Sequence, residues 1–485
     1  MKISSATLVR FALQVCLVLM TGILTSVESS GQIIEAQSDF ESPAARRIRT
    51  QLRAAGKTHL ATNTTLRGFP AQTEGQAPTQ APSLVSLDAQ PTPRRLDSDG
   101  ITQLESFEQL AIQNHPALNA AVAKILTARH QALQAGLAPN PTLGLFLDEV
   151  GNEDDPGLWG AFLQRKIIRG NKLALGKKVK NREAGVLELK FESQVLRIKT
   201  DVRAAFYRLL IAQQKQDLAA KLYQSQQDAI AKSRELYQAG ETPKTDLLQT
   251  ELQAQKTMML VIRSEAARQG AWRALASVVG KPELASRFVE GSLDPIVDRL
   301  AFDQCLNKIW TNSPELQAAS AEIERVRSTI DRQVAGSIPD YQTQVTVGRD
   351  SATNHFFTGV QVQMPLQFCN RNQGNIAAAQ SQLVVAQNNL ETLKLDLSKR
   401  LSVEFMNYES ALAQSEMYSS QLLPKAQQTL NLLVSGYPEE VSFLQLLTAQ
   451  QLIIDITMQY LDSIDSLWNS RLRIEGFLLD DSLGQ

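Results

Sequence analysis

The chain has 485 residues and a formal net charge of −1, from 49 Lys and Arg against 50 Asp and Glu. That balance argues against nucleic acid as a partner, because phosphate binding leaves a basic footprint. Hydrophobic residues make up 43%, enough for a core but too little for a polytopic helical membrane protein. Of only 18 prolines, six (Pro43, Pro70, Pro78, Pro82, Pro91, Pro93) fall in residues 31–100, and Gly numbers only 25. The remainder is poor in helix breakers, which favours long helices.

Residues 1–29 read as a secretory signal. Lys2 and Arg10 precede an apolar stretch of about 14 residues, with Val27 and Ser29 at the cleavage positions. The stretch is short of the ~20 residues that span a bilayer, and Cys16 within it is a poor lipidation site. Residues 30–100, rich in Ser, Thr, Gln, Pro and Ala, read as a disordered linker. No later segment has the 18 apolar residues of a membrane helix. An exported chain of this kind either dissolves in the envelope space or crosses an outer membrane as strands. His59, His115, His130 and His355 show no metal-ligand spacing. Cys305 and Cys369 could form at most one disulfide.

From Phe107 the sequence repeats about 200 residues later. Phe107-Glu108-Gln109 is echoed by Phe302-Asp303-Gln304, and Asn114-His115-Pro116-Ala117-Leu118 by Asn312-Ser313-Pro314-Glu315-Leu316. Val202 and Tyr207 match Val403 and Tyr408, and Gly240 matches Gly436. This predicts two halves, 101–290 and 291–485, each with the same order. A helix over 105–138 or 300–337 comes first, with Pro116 or Pro314 early in it. A β-hairpin follows, over 142–166 or 342–365. A long helix then runs over 171–238 or 373–435, the first reaching roughly 100 Å at 1.5 Å per residue. A Gly-containing turn leads to a return helix over 244–279 or 440–480. Seven-residue rows (Val195, Val202, Leu209, then Tyr223, Ile230, Tyr237; also Leu383, Leu390, Leu397) favour coiled-coil-like packing in an elongated bundle.

The hairpins alternate with period two. Leu143, Leu145 and Leu147 alternate with Gly144, Phe146 and Asp148; Trp159, Ala161 and Leu163 with Gly160, Phe162 and Gln164. Val345 and Val347 alternate with Gln344 and Thr346; Val360, Val362 and Met364 with Gln361 and Gln363. Each segment has the length that a tilted strand needs to cross a bilayer. Four strands cannot close, and an open edge cannot sit in lipid. Either the hairpins cap a soluble bundle, or several chains pool strands into one barrel. In the barrel, Leu143, Leu145, Leu147, Val360 and Val362 face lipid, and Gln344, Gln361 and Gln363 face a lumen.

These features resemble the TolC-like outer membrane efflux protein family over about 104–480. The likeness is carried by Asn114-His115-Pro116-Ala117-Leu118, Gln134-Ala135-Gly136-Leu137-Ala138-Pro139-Asn140-Pro141 and Gly280-Lys281-Pro282-Glu283-Leu284. It continues through Gly359-Val360-Gln361-Val362-Gln363-Met364-Pro365-Leu366, Asn370-Arg371-Asn372-Gln373-Gly374-Asn375-Ile376 and Val441-Ser442-Phe443-Leu444-Gln445-Leu446-Leu447-Thr448-Ala449-Gln450. Within the family the pieces are most similar to the heavy-metal-efflux branch of CzcC/CusC-like proteins. The resemblance implies a mainly α chain with a small β part. It implies a homotrimer whose twelve strands form an outer-membrane barrel above a periplasmic α-helical barrel. It also implies a periplasmic membrane-fusion adaptor and an inner-membrane pump, of the RND type, as partners, with no cofactor.

The same resemblance places the adaptor contact and the closed aperture at the turns 238–246 and 435–442. The family's Arg, Tyr, Gly pattern matches Arg234, Tyr237 and Gly240; the second half has Leu430, Leu433 and Gly436 instead. Gly240 and Gly436 also fit as plain helix C-caps. Aperture candidates are Asp246, Ser442 and Gln445, the last two neutral where some relatives carry carboxylates. Glu439 and Glu440 could substitute, although acids at a helix start also cap it. The acidic loop Gly151-Asn152-Glu153-Asp154-Asp155 either attracts cations or is simply solvated.

No phosphate loop, zinc-ligand spacing or nucleophile elbow is present, so an enzyme is not expected. The leading expectation is a gated exit duct that conducts solutes passively, with metal cations or drugs as the cargo classes. The alternative is a soluble periplasmic coiled-coil adaptor or tether without a pore.

Overall fold

A computed structural model of the chain describes residues 103–149, 157–240, 242–293, 299–435 and 443–479. The expected signal, the linker and the acidic loop 151–155 lie outside the described residues, as do Gly436, Glu439, Glu440 and Ser442.

Each half opens with two helices rather than one. These are α1 (Leu104–Asn114) and α2 (Pro116–Gly136) in the first half, and α5 (Phe302–Asn312) and α6 (Pro314–Ala335) in the second. The single helices expected over 105–138 and 300–337 are therefore corrected. Proline at the first helical position lacks an N–H and drives the preceding residue out of the α region. His115 (ψ 120°) and Ser313 (ψ 122°) are accordingly extended. His115 Nδ1 accepts the Ala117 N–H at 3.2 Å and caps α2. Burial, aided by Arg197 and opposed by Asp201, lowers the pKa of that imidazole and so favours the neutral form that can accept.

The strands β1 (Thr142–Asp148), β2 (Leu158–Ile167), β3 (Tyr341–Asp350) and β4 (Phe356–Gln363) lie within a residue or two of the expected hairpins. The long helix α3 spans Lys172–Gln238, 67 residues, with no proline in it. Its return helix is α4 (Lys244–Val278). In the second half the long element is interrupted. α7 (Gln373–Met417) passes through a π-helical turn, Tyr418–Leu422, into α8 (Leu423–Ser435), and α9 (Phe443–Glu475) returns. The uninterrupted helix expected over 373–435 is corrected on this point. Pro424 supplies no N–H, and the wider π turn sits immediately before it.

α3 is the spine. It packs against α2 and α6 toward the strands, and against α4 and α9 toward the far end. The two halves carry separate cores at the level where the short helices end. In the first, Phe107, Leu110, Val202, Phe206, Leu209, Trp272, Leu275 and Val279 cluster. In the second, Ile309, Leu397, Leu401, Phe405, Tyr408 and Leu467 do so. Phe107 meets Phe206 at 6.0 Å and Phe302 meets Phe405 at 5.4 Å. The packing equivalents are thus Phe206 and Phe405, two residues out of step with the Tyr207–Tyr408 echo. Tyr408 is fully buried and its hydroxyl accepts the Leu300 N–H. Tyr207 instead stacks on Trp468 at 4.1 Å, joining the halves. Cys305 is buried and Cys369 exposed, both as free thiols.

Below this core the buried face of α3 runs through Ala219, Leu222, Gln226, Ala229 and Ser233, in alternating steps of three and four. The row Tyr223, Ile230, Tyr237 expected to pack lies one residue away. An α-helix drifts against a seven-residue repeat, and the seam follows the small side chains that admit α4 closely. Val195, Val202, Leu209 and Leu397 do lie in or against the cores.

Candidate functional site: a two-faced sheet and a helical tip

The four strands form one antiparallel sheet in the order β1-β2-β3-β4, so the hairpins of the two halves pair through β2 and β3. Each hairpin is entered past proline (Pro139, Pro339), and both long helices leave the sheet through a left-handed Asn, Asn171 (φ 56°) and Asn372 (φ 62°). Asn tolerates that conformation better than most residues. Asn372 Nδ2 donates to Gln333 O at 2.7 Å, tying the second exit to α6.

Register sorts the side chains into two faces. On one, Leu143↔Leu163↔Val345↔Val360 form a row, followed by Leu145↔Ala161↔Val347↔Thr358 and Leu147↔Trp159↔Arg349↔Phe356. Val362 lies on the same face. This face is apolar and open: Leu145 is 84% exposed, Val360 67% and Phe356 77%. The opposite face carries Thr142↔Gln164↔Gln344↔Gln361 and Lys166↔Gln342↔Gln363. The five candidate apolar residues therefore share one face, and the three candidate glutamines share the other. Trp159, Leu163, Ile167, Val347 and Phe356 complete the apolar face; each follows from the period-two pattern once the register is known. The glutamine face also carries Phe146, Phe162 and Phe357, which amide counting passes over. Their signal is a Gly two residues from a Phe within a strand: Gly144/Phe146, Gly160/Phe162 and Phe357/Gly359.

At the helix end of the sheet a charged junction joins the halves. Asp340, just before β3, accepts from Lys172 Nζ at 2.7 Å and from the Arg169 N–H at 3.1 Å, and Lys166 Nζ lies 3.5 Å away. Burial opposes ionisation of Asp340. The hydrogen bonds from Lys172 and Arg169 and the charges of Lys172 and Lys166 outweigh it and hold the carboxyl below its usual pKa. Arg169 also lies over the Tyr341 ring at 4.5 Å. At the hairpin end, Ser351 N donates to Gly157 O at 3.2 Å, tying the two hairpin ends together.

The far end of α3 and α4 holds the other candidates. Arg234 pairs with Glu251 across the two helices at 3.1 Å. Tyr237 is 40% exposed. Gly240 (φ 79°) ends α3, and its N–H reaches Tyr237 O at 3.1 Å. Nothing lies within 4 Å of a Cβ built there, so backbone conformation rather than crowding selects Gly. Asp246 lies in the first turn of α4, where a carboxylate suits the helix dipole. Gln445 is exposed in the first turn of α9.

Among the described residues no helix is long and apolar enough to cross a membrane. The exposed apolar face of a four-stranded sheet on ~100 Å helices defines the class: a strand-borne membrane protein with a long helical extension. Residues 108–281 and 305–469 match the family described as outer membrane efflux protein, and the chain belongs to that family. A relative is the cobalt-zinc-cadmium resistance protein CzcC of Cupriavidus metallidurans, 23% identical over 79% of this chain and 91% of its own length. Similar folds include CusC (TM-score 0.63, 16% identity, 78% of this chain and 92% of that one). Another is the outer membrane protein VceC of Vibrio cholerae (TM-score 0.61, 17% identity, 77% and 96%).

Proposed function

We propose that the chain is the outer-membrane exit duct of a tripartite efflux system, passively conducting solutes handed over by an inner-membrane pump through a periplasmic adaptor. The observation that carries this reading is the sheet. One face is apolar and exposed, the other is lined with amides, and among the described residues β1 and β4 each have a single neighbouring strand. Such a sheet is stable in lipid only when further strands close it. Three copies would supply twelve strands, with Leu143, Leu145, Leu147, Val360 and Val362 toward lipid and Gln344, Gln361 and Gln363 toward water. The name of the CzcC relative supports divalent metal cations as cargo. The turn at Arg234, Tyr237 and Gly240 is the adaptor contact on this reading. Asp246 and Gln445 are the described aperture candidates, and Gly436, Glu439, Glu440 and Ser442 belong to the undescribed second turn.

The test is biochemical first. The mature chain should need detergent for extraction, run as a trimer and give ion conductance in planar bilayers. Deleting the gene should sensitise the host to cobalt, zinc or cadmium. Recovery of a detergent-free soluble monomer would sink the proposal in favour of a periplasmic tether.

A further inference from the structure

The amide face of the sheet is stratified. From the helix end it carries Lys166, Gln342 and Gln363, then Thr142, Gln164, Gln344 and Gln361. The next two rows change character: Gly144↔Phe162↔Thr346↔Gly359, then Phe146↔Gly160↔Gly348↔Phe357. A last row, Asp148↔Leu158↔Asp350, brings two carboxylates to the hairpin end.

The rings are seated on the glycines. A Cβ on Gly144 would overlap the Phe162 ring, lying 2.6 Å from its Cε1. A Cβ on Gly160 would lie 2.7 Å from Phe146 Cε1, and one on Gly348 2.6 Å from Phe357 Cζ. Phe146 and Phe357 approach each other edge-on across the two glycines, with centroids 6.1 Å apart and planes at 60°. Rings laid over glycines hug the wall. They line the space rather than plug it, and they offer aromatic surface to whatever passes. A wall made only for water would have continued the amides, since exposing a ring to water has no hydrophobic gain.

We infer that Phe146, Phe162 and Phe357 form an aromatic collar inside the assembled barrel, a transient binding site for lipophilic organic cations. The inference rests on the exit-duct reading. An aromatic face attracts cations through its quadrupole, and a delocalised organic cation gives up little hydration to reach it. The carboxylates of Asp148 and Asp350 stand one row outward with matching charge. Asp350 accepts from Ala352 N–H, Thr353 N–H and the Thr353 hydroxyl, and Asp148 from Glu149 N–H. Both groups thus double as turn caps and keep a fixed place at the mouth. A strongly hydrated metal ion keeps its water shell and passes the same collar without adhering.

The test uses the full mature chain in planar bilayers, with tetraphenylphosphonium as probe and tetramethylammonium as the small-cation control. Tetraphenylphosphonium should block the potassium chloride current at concentrations where tetramethylammonium does not. Phe162→Leu, and separately Phe146→Leu with Phe357→Leu, should raise the half-blocking concentration roughly tenfold, the scale set by losing stacked π faces. Leu still covers the glycines, so open-channel conductance and trimer assembly should stay as in the wild type. Equal block in wild type and variants overturns the collar. So does a loss of block that comes only with altered conductance or assembly, which would assign the rings to wall curvature. A wild-type protein recovered as a detergent-free soluble monomer refutes the duct itself, a result distinct from unchanged block in a conducting channel.

Discussion

Asp340 belongs to the second half but is bound by Lys172 and Arg169 of the first, so it couples the sheet to the spine helix. The side chains of Lys172 and Asp340 are only 9% and 16% exposed. Asp340→Asn leaves a largely buried ammonium without its counter-charge, and should lower stability by about 1–3 kcal/mol, read as the thermal midpoint in detergent. The pH dependence follows from the direction of the shift. The folded pKa lies below the ordinary 3.8, so this contribution is complete above that value and is lost as pH falls through the folded pKa. As pH falls below about 4, the ordinary carboxylate value, the wild type should lose more stability than the Asn variant. Gly160 is constrained differently: a Cβ there would sit 2.6 Å from the Gly348 Cα of the facing strand. Gly160→Ala should therefore weaken the β2–β3 pairing that joins the two hairpins, seen as loss of the folded trimer on unheated gels. Gln226 is fully buried in the α3–α4 seam, with neither amide atom hydrogen-bonded among the described residues. Gln226→Leu removes an unmet polar group and should raise the thermal midpoint, by the equivalent of about 1–3 kcal/mol; an unchanged or lower midpoint would show that the amide is satisfied in the assembly.

Among the elements, the difference between the two long helices is the most consequential. α3 runs unbroken through its seam with α4, whereas its counterpart is interrupted at Tyr418–Leu422, just before Pro424. A π turn replaces i→i−4 bonds with longer ones, and Pro424 removes a donor. Amides at 418–425 should exchange with deuterium faster than those at 217–224 in α3, and Pro424→Ala should narrow the gap. Tyr418 limits the opening by donating to Gln459 of α9 at 2.9 Å. These elements were unequally legible in the sequence. The hairpins and the spine helix could be read closely because period two and a proline-free run of 67 residues are local signals. The break at Pro116 was visible as a residue but not as an extended His115, since a proline at a helix start and one inside a helix look alike in one dimension. The seam was placed one residue off because supercoil drift depends on the partner helix. The Phe-over-Gly packing depends on which residues face each other across strands, and no single segment states that register.

At the scale of the whole molecule, the assignment of faces decides everything, and one substitution on each face separates the possibilities. Leu145 and Gln361 are both exposed, both mid-strand, and on opposite sides of the same sheet. If the apolar face meets hydrocarbon, Leu145→Arg puts a charge near the bilayer midplane at a cost of about 2–4 kcal/mol per chain. Repeated around a trimer, that should abolish insertion into the outer membrane fraction. Gln361→Arg puts the same charge into water, where it costs little, so the trimer should assemble in normal yield. Its conductance should change in kind: added positive charge in the lumen repels cations, and the reversal potential in a salt gradient should move toward anion selectivity. A soluble tether predicts no such asymmetry, with neither variant affecting partition into the membrane. An inverted sheet predicts that Gln361→Arg, not Leu145→Arg, blocks insertion. The pair of variants therefore reads the orientation of all four strands from fractionation and a single current–voltage curve.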